Sequence, residues 1–482
     1  MLFTSLEFIV FFPIVVGLFF LLPHRTRWMV LLAASYVFYA AWKVEFLALI
    51  VASTVVDWFC GLRMGRHETR DGRRPWLLVS LIANLGLLGF FKYYNFFVES
   101  GVELFHALGL DVGSGTLDIV LPVGISFYTF QTLSYSIDVY RGQKEVEPNL
   151  GIFALYVSFF PQLVAGPIER SATLLPQFHE RQRWDWPRIR LGLTQMLLGF
   201  WKKLVLADRL SLYVDEVYAH AADYPGLPMW TATYFFALQV YCDFSGYSDI
   251  AIGGARVMGF DLMTNFKRPY LADSFKSFWA RWHISLTTWF RDYVCFPMGG
   301  SRGSPLRTRF NMLALFTLCG LWHGARWNCV LWGTANGVYL VMGQLTEGAQ
   351  RRFSELTGLV KLPWVRKVFN VVLTFHLFVI SLMIWRSETI PKVGFNIAQA
   401  FTPGDNAWKV AAPMDAYELA IAVIGLLMLL VLEIFQERHD SELLEEFERR
   451  PAWIRWPVYY AVLFSILIFG VFELKEFVYF QF

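Results

Sequence analysis

Two histidines, each preceded by a tryptophan, sit in apolar stretches of this chain: Trp282-His283 in RWHISLTTWFRDY and Trp322-His323 in GLWHGARWNCVLWG. Imidazole is the side chain that gains and loses a proton nearest neutral pH. Holding an ionisable group inside a bilayer costs roughly 2.5–3.5 kcal/mol or more, so such a group is expected to have a chemical task or a dedicated partner. Gly324 and Ala325, which follow His323, are small enough to let a substrate or a neighbouring helix approach the backbone. General acid–base chemistry is what these positions suggest, with His323 and His283 as the candidate catalytic residues. The competing reading is structural: His283 satisfied by a backbone carbonyl, His323 bonding across helices.

His283 belongs to the segment 266–309, in which eight Lys or Arg face two acids, with aromatic residues interleaved. This reads as a cytoplasm-side basic amphipathic or partly inserted segment. A phosphate-rich donor would find counter-charges there. The candidate donor-binding residues are Lys267, Arg268, Lys276, Arg281, Trp282 and Arg291, with Trp322 from the second pair. A helix over 279–292 would align Arg281, Ser285, Thr288 and Asp292 in one polar stripe and turn His283 about 200° away, toward protein. A further polar group, Asp243, Ser245, Ser248 and Asp249 in YCDFSGYSD, interrupts an apolar run. Buried carboxylates need partners. Asp243, Ser245 and Asp249 are expected to form a structural polar network, with pairing to the arginines of 266–309, orienting a histidine, or marking an ion path as the roles open to them.

The elements that must hold these residues are membrane helices. Of 482 residues, 56% are hydrophobic, 18% aromatic and only 17% charged, against about 25% charged in soluble domains. The net charge of +3 carries no implication of nucleic acid. Apolar runs at 5–22, 76–98, 119–138, 230–256, 367–385, 416–434 and 457–472 are clear candidate spans, with weaker ones at 28–42, 46–62 and 191–206. Stretch 310–345 is too long for one span and is expected to break near Gly324-Ala325-Arg326. Stretch 150–165, ending at Pro161 and Gly166-Pro167, suggests a re-entrant or tilted piece. The fold class expected is an all-α polytopic membrane protein of about 10–12 transmembrane helices. It reads as a single membrane-embedded domain over 1–482, with a cytoplasmic amphipathic linker at 436–456 and an aromatic C-terminal tail at 477–482. Basic loops at 24–27, 63–74 and 166–190 alternate with acidic ones at 99–118 and 208–228, which places the N-terminus outside. Lys202-Lys203 disagrees with that assignment, so these two either snorkel or lie on a helix that does not cross fully. The opening MLFTSLEF has no basic region or cleavage site, so a retained first span is expected. Five cysteines without a C-x-x-C pair read as buried apolar residues, and no metal site is expected. No G-x-S-x-G elbow or glycine-rich phosphate loop is present.

The ordered series YCDFSGYSDIAIG, NFKRPYLADSFKSFWARWHISLTTWFRDYVCFPMGG and GLWHGARWNCVLWG resembles the membrane-bound O-acyltransferase (MBOAT) family. The opening MLFTSLEFIVFFPIV, LPVGISFYTFQTLSYSIDVYRG, FFPQLVAGPIER and the closing FVYFQF extend the likeness over essentially the whole chain. They resemble the bacterial branch containing the alginate O-acetyltransferase membrane subunit. The resemblance implies a many-helix fold around a central funnel. It implies that His323 reaches the middle of that funnel, and that His283 lies on the cytoplasmic side of the same tunnel.

It also implies acyl transfer from a cytoplasmic thioester, with acetyl-CoA as donor substrate and no bound cofactor. The receiver would be an extracytoplasmic acetyltransferase- or esterase-like partner that completes O-acetylation of an exopolysaccharide, in a bacterial plasma membrane. On this reading the two imidazoles line a water-reachable passage; the span count places the tail Phe477–Phe482 outside, either as an exposed docking element for the partner or as an interfacial aromatic anchor. Two other functions compete: transfer of D-alanine or another acyl group to teichoic acid or peptidoglycan, and proton-coupled transport through His283, His323, Asp243 and Asp249.

Overall fold

The computed structural model describes residues 1–164, 166–404, 413–439, 443–473 and 477–478. Every regular element among them is helical, and they form two compact units: Met1–Leu193 with Ala251–Met263, and Thr194–Ile250 with Thr264–Phe482.

In the first unit the order is α1 (Leu6–Leu21), α2 (His24–Ala40), α3 (Glu45–Met64), α4 (Arg70–Leu88), α5 (Tyr94–Ala107), α6 (Ile125–Arg141), α7 (Leu150–Ser158), α8 (Phe160–Leu163), α9 (Ser171–His179) and the start of α10 (Trp186–Phe200). A π segment, Gly89–Tyr93, joins α4 to α5. In the stretch 150–165, read as a re-entrant or tilted piece, Phe159 (φ −52°, ψ 110°) separates α7 from α8. A buried carboxylate ties three helices here. Asp57 of α3 accepts from Ser80 (2.5 Å) and Asn84 (2.7 Å) of α4 and from Ser136 (2.9 Å) of α6. Such polar contacts substitute for the hydrophobic drive that lipid does not supply between helices.

The second unit holds the end of α10, a π segment (Trp201–Ala207), α11 (Asp208–Ala219), most of α12 (Leu227–Met258), α13 (Phe275–Trp279), α14 (Ile284–Phe290), α15 (Pro305–His323), α16 (Trp327–Leu345), α17 (Glu347–Leu356), α18 (Pro363–Arg386), α19 (Ile390–Phe401), α20 (Ala416–His439), α21 (Leu443–Glu448) and α22 (Ala452–Phe469). Among the described residues, Glu45–Met64, Arg70–Ala107, Pro363–Arg386, Ala416–His439 and Ala452–Phe469 are long and apolar enough to cross a membrane, and Leu6–Leu21 is a shorter apolar helix.

Two expected segments have different bounds. Residues 436–439 complete α20, and α22 already begins at Ala452, so 436–456 is not one amphipathic helix. Within it Glu448 is buried, accepting hydrogen bonds from Thr194 and Tyr459; residues 440–442 lie outside the described set. In the 266–309 segment, read as amphipathic or partly inserted, the part between Phe275 and Phe290 packs into the protein, with Phe278, Trp279, Trp282 and Leu286 buried.

Candidate active site

The local backbone around His283 is set by a long-range clamp. The helix expected over 279–292 does not form. α13 ends at Trp279, Ala280–Trp282 turn, and α14 starts only at Ile284. His283 itself is left-handed, φ 44° and ψ 54°. A non-glycine residue pays roughly 1–2 kcal/mol for that conformation, and such outliers cluster at functional sites.

Two backbone bridges bracket the pair: Lys267 N–H donates to the Arg281 carbonyl at 2.9 Å, and Ile284 N–H donates to the Asn265 carbonyl at 3.0 Å. The Asn265 side chain completes the clamp. Its Oδ1 accepts from the Ser285 hydroxyl at 2.9 Å and the Ser285 N–H at 3.3 Å, and its amide donates to Ser248 at 3.2 Å. Ser285 is therefore an interior anchor and not part of a solvent stripe. Sequence reading missed Asn265, because its partners lie seventeen and twenty residues away and leave no periodic trace.

Asn265→Ala should lower kcat about 10²-fold through misplacement of the ring, with KM little changed and normal membrane accumulation. Asn265→Asp, which keeps the acceptor for Ser285, should recover a large part of the rate. Equal kcat for the alanine variant and the parent would remove Asn265 from a positioning role.

His323 is placed by a helical hairpin. Ser304 caps α15 by accepting from the Arg307 N–H, and Pro305 occupies its first turn. α15 stops at His323 because Gly324 is extended, φ −155°, and α16 begins three residues later. The break near 324–326 is thus where the sequence placed it. The two arms pack through glycine: a Cβ on Gly320 would lie 2.3 Å from the Cys329 carbonyl oxygen, and one on Gly333 would lie 2.3 Å from that of Phe316. Only bare backbones fit at this spacing.

These two devices bring the imidazoles together. The ring centroids of His283 and His323 are 6.3 Å apart. Phe244 meets His283 edge-on at 4.6 Å, and Phe266 stacks at 6.4 Å. Trp322 and Trp332 meet His323 edge-on at 5.0 and 5.2 Å, with Trp385 at 6.0 Å. His283 is 0% exposed and His323 3%, so both rings are buried in a sleeve of aromatic side chains.

The other candidate residues divide. Trp282 and Trp322 are buried beside the pair. Arg268 and Arg281 do not face open solution: both converge on Glu437 of α20, Arg268 Nε at 2.9 Å and the Arg281 fork at 3.1 Å. Arg291 is exposed and pairs with its neighbour Asp292 at 2.8 Å. Lys267 and Lys276 are exposed. Asp243 and Asp249 do not pair with arginines of 266–309. Lys203 bridges Asp243 (2.7 Å) and Asp208 (2.8 Å), and Lys202 bonds Asp249 (2.8 Å), which also accepts from Gln195. Ser245 is buried beside them.

The two lysines are therefore interior partners and do not snorkel. They reach the acids because α10 and α12 touch backbone to backbone, a Cβ on Gly199 falling 2.6 Å from the Gly246 carbonyl oxygen. Asp243 also accepts from the Val478 N–H at 2.8 Å, and Phe477 packs on Tyr247 (4.8 Å) and Phe244 (5.3 Å). Phe477 and Val478 are thus buried, which overturns the exposed docking element at those two positions; 479–482 lie outside the described residues. Among the described residues no cluster of three His, Cys, Asp or Glu side chains could hold a metal.

The family model of the membrane-bound O-acyltransferases matches residues 145–384, a span that contains both histidines. A probable alginate O-acetylase of Pseudomonas syringae pv. tomato is 39% identical over 432 residues, covering 88% of this chain and 80% of the relative. The chain belongs to the membrane-bound O-acyltransferase family. The peptidoglycan O-acetyltransferase of Helicobacter pylori is 32% identical, covering 75% of this chain and 71% of its own. The teichoic acid D-alanyltransferase of Streptococcus thermophilus is 27% identical, with 56% and 70% covered. This acyltransferase is thus a multi-pass membrane enzyme of the branch that resembles the alginate O-acetylases.

Proposed function

We propose that the enzyme takes an acetyl group from cytoplasmic acetyl-CoA and passes it across the bacterial inner membrane for O-acetylation of an extracytoplasmic polysaccharide, with its N-terminus outside. The observation that carries this reading is the pair of imidazoles 6.3 Å apart among aromatic side chains, within a chain whose relatives are named for O-acetylation of alginate and peptidoglycan.

His323 acts as general base. It takes the proton of the acceptor hydroxyl while that oxygen attacks the thioester carbonyl; the tetrahedral intermediate collapses, and the coenzyme thiolate leaves and recovers a proton. Proton transfer of this kind contributes about 10²–10⁴-fold. His283 positions the thioester or extends the proton route. Lys267 and Lys276 supply exposed cations for the donor's phosphates, while Arg268 and Arg281 are engaged by Glu437. An extracytoplasmic acetyltransferase-like partner receives the acyl group.

The D-alanyltransferase relative favours a second transferred group, D-alanine. Proteoliposomes given acetyl-CoA labelled in the acetyl group separate the two. The proposal expects acceptor-dependent appearance of labelled ester and release of free coenzyme A. Label transfer from a D-alanyl thioester but not from acetyl-CoA would replace it with the second reading, and net proton or sugar flux without acyl transfer would discard both.

A further inference from the structure

We infer that a groove between α16, α17 and α18 seats an anionic phospholipid of the cytoplasmic leaflet, a site separate from the histidine pair. The cavity holds about 1660 Å³. Its long wall is one face of the candidate span Pro363–Arg386, with Arg366, Asn370, Leu373 and Leu377 following one another down the helix. Tyr339 of α16 lines the opposite side.

Three features select the occupant. The first is charge. Lys276, Arg351, Arg366 and Lys367 border the groove against Asp273 and Glu347, four cations to two acids, and Arg366 and Lys367 carry no ion pair among the described residues. The second is polarity along the axis. The cations of α18 stand in its first two turns, and below them Phe369, Leu373 and Leu377 make a mainly apolar face interrupted by Asn370 and Thr374, with Phe369 and Leu373 each 46% exposed. The third is length. From Arg366 to Leu377 the helix rises about 16 Å, roughly half of the ~30 Å hydrocarbon core. A headgroup phosphate at Arg366 and Lys367 with an acyl chain running to Leu377 therefore spans one leaflet. The basic stretch that precedes α18, with Arg351, Arg352 and Lys361, assigns that end to the cytoplasm, and basic pockets between membrane helices on that side suit anionic headgroups.

Lys276 belongs both to this rim and to the donor cations proposed above, so the experiment must tell a lipid phosphate from a coenzyme phosphate. The full-length enzyme is reconstituted in nanodiscs of phosphatidylcholine doped with phosphatidylglycerol, and retained lipid is counted by native mass spectrometry. The parent should hold phosphatidylglycerol in preference to phosphatidylcholine. Arg366→Glu with Lys367→Glu should lose that preference about tenfold or more, while KM for acetyl-CoA stays unchanged. Leu373→Trp, which fills the apolar floor, should lose bound lipid of both classes. Undiminished phosphatidylglycerol in the charge-reversed enzyme overturns the inference. So does displacement of phosphatidylglycerol by free coenzyme A together with a raised KM in that variant, which would make the groove the donor's entrance. Either result leaves the histidine mechanism standing, because neither variant touches it.

Discussion

His323→Ala is expected to lower acyl transfer by about 10²–10⁴-fold while the enzyme still inserts and accumulates. The expectation follows from what holds the hairpin. α15 and α16 are fixed by the contact of Gly320 and Gly333, backbone against backbone, and by Asn328, whose amide donates to the carbonyls of Trp385 (3.0 Å) and Ser387 (2.5 Å). The imidazole is not among these supports. Its removal leaves a void beside Trp322, Trp332 and Trp385, a cost of the large-to-small kind that the rest of the hairpin should bear. Product formation is measured with labelled donor, and folding by size-exclusion profile and thermal inactivation in detergent. Near-normal product from a folded variant would take His323 out of the chemistry.

The second large effect is on stability. Lys203 is 2% exposed and neutralises two carboxylates that are themselves buried, Asp243 and Asp208. Lys203→Met removes the cation that bridges them. Breaking a buried ion pair from one side typically costs about 3–5 kcal/mol, because the remaining charge is left without compensation. Thermal inactivation in detergent should shift down accordingly. Adding Asp243→Asn and Asp208→Asn in the same background should restore most of the loss, since an uncharged cluster no longer requires the lysine. With Asp243→Asn the side chain keeps a carbonyl oxygen that can accept from the Val478 N–H, so Phe477 and Val478 should stay docked. A Lys203→Met enzyme as heat-stable as the parent would show that the network carries little of the unit's stability.

Part of this architecture is readable from the sequence. Both Trp-His pairs mark the candidate site in the sequence, since an ionisable residue in an apolar run is a rare signal, and the fold brings the two rings to 6.3 Å. The Gly-Ala-Arg sequence at 324–326 marks the hairpin turn, and proline and glycine near 161–167 mark the broken stretch. What stays hidden depends on partners far along the chain. Helical periodicity over 279–292 is sound as local propensity, yet the Asn265 and Lys267 bridges override it and force His283 left-handed. Lys202 and Lys203 look like misplaced surface charges because Asp249 and Asp243 sit 47 and 40 residues later; Asp208, the second partner of Lys203, is near in sequence, and only the packed helix buries that pair. Glu437, which claims Arg268 and Arg281, reads as part of a solvent-facing linker. In each case a buried charge is visible and its counter-charge is equally visible, but their pairing is a property of helix packing that no local pattern encodes.

The aromatic sleeve around the two imidazoles has a consequence for the fate of the donor. A thioester is as vulnerable to water as to an alcohol, and water is the more abundant nucleophile. If the reaction runs as proposed, with His323 as base, the tryptophan rings that bury it also keep activated hydroxide from forming beside the acyl carbon. On the proposed mechanism, selectivity for the acceptor over hydrolysis is then set by which nucleophile gains access to the ring, and not by any intrinsic preference of the imidazole.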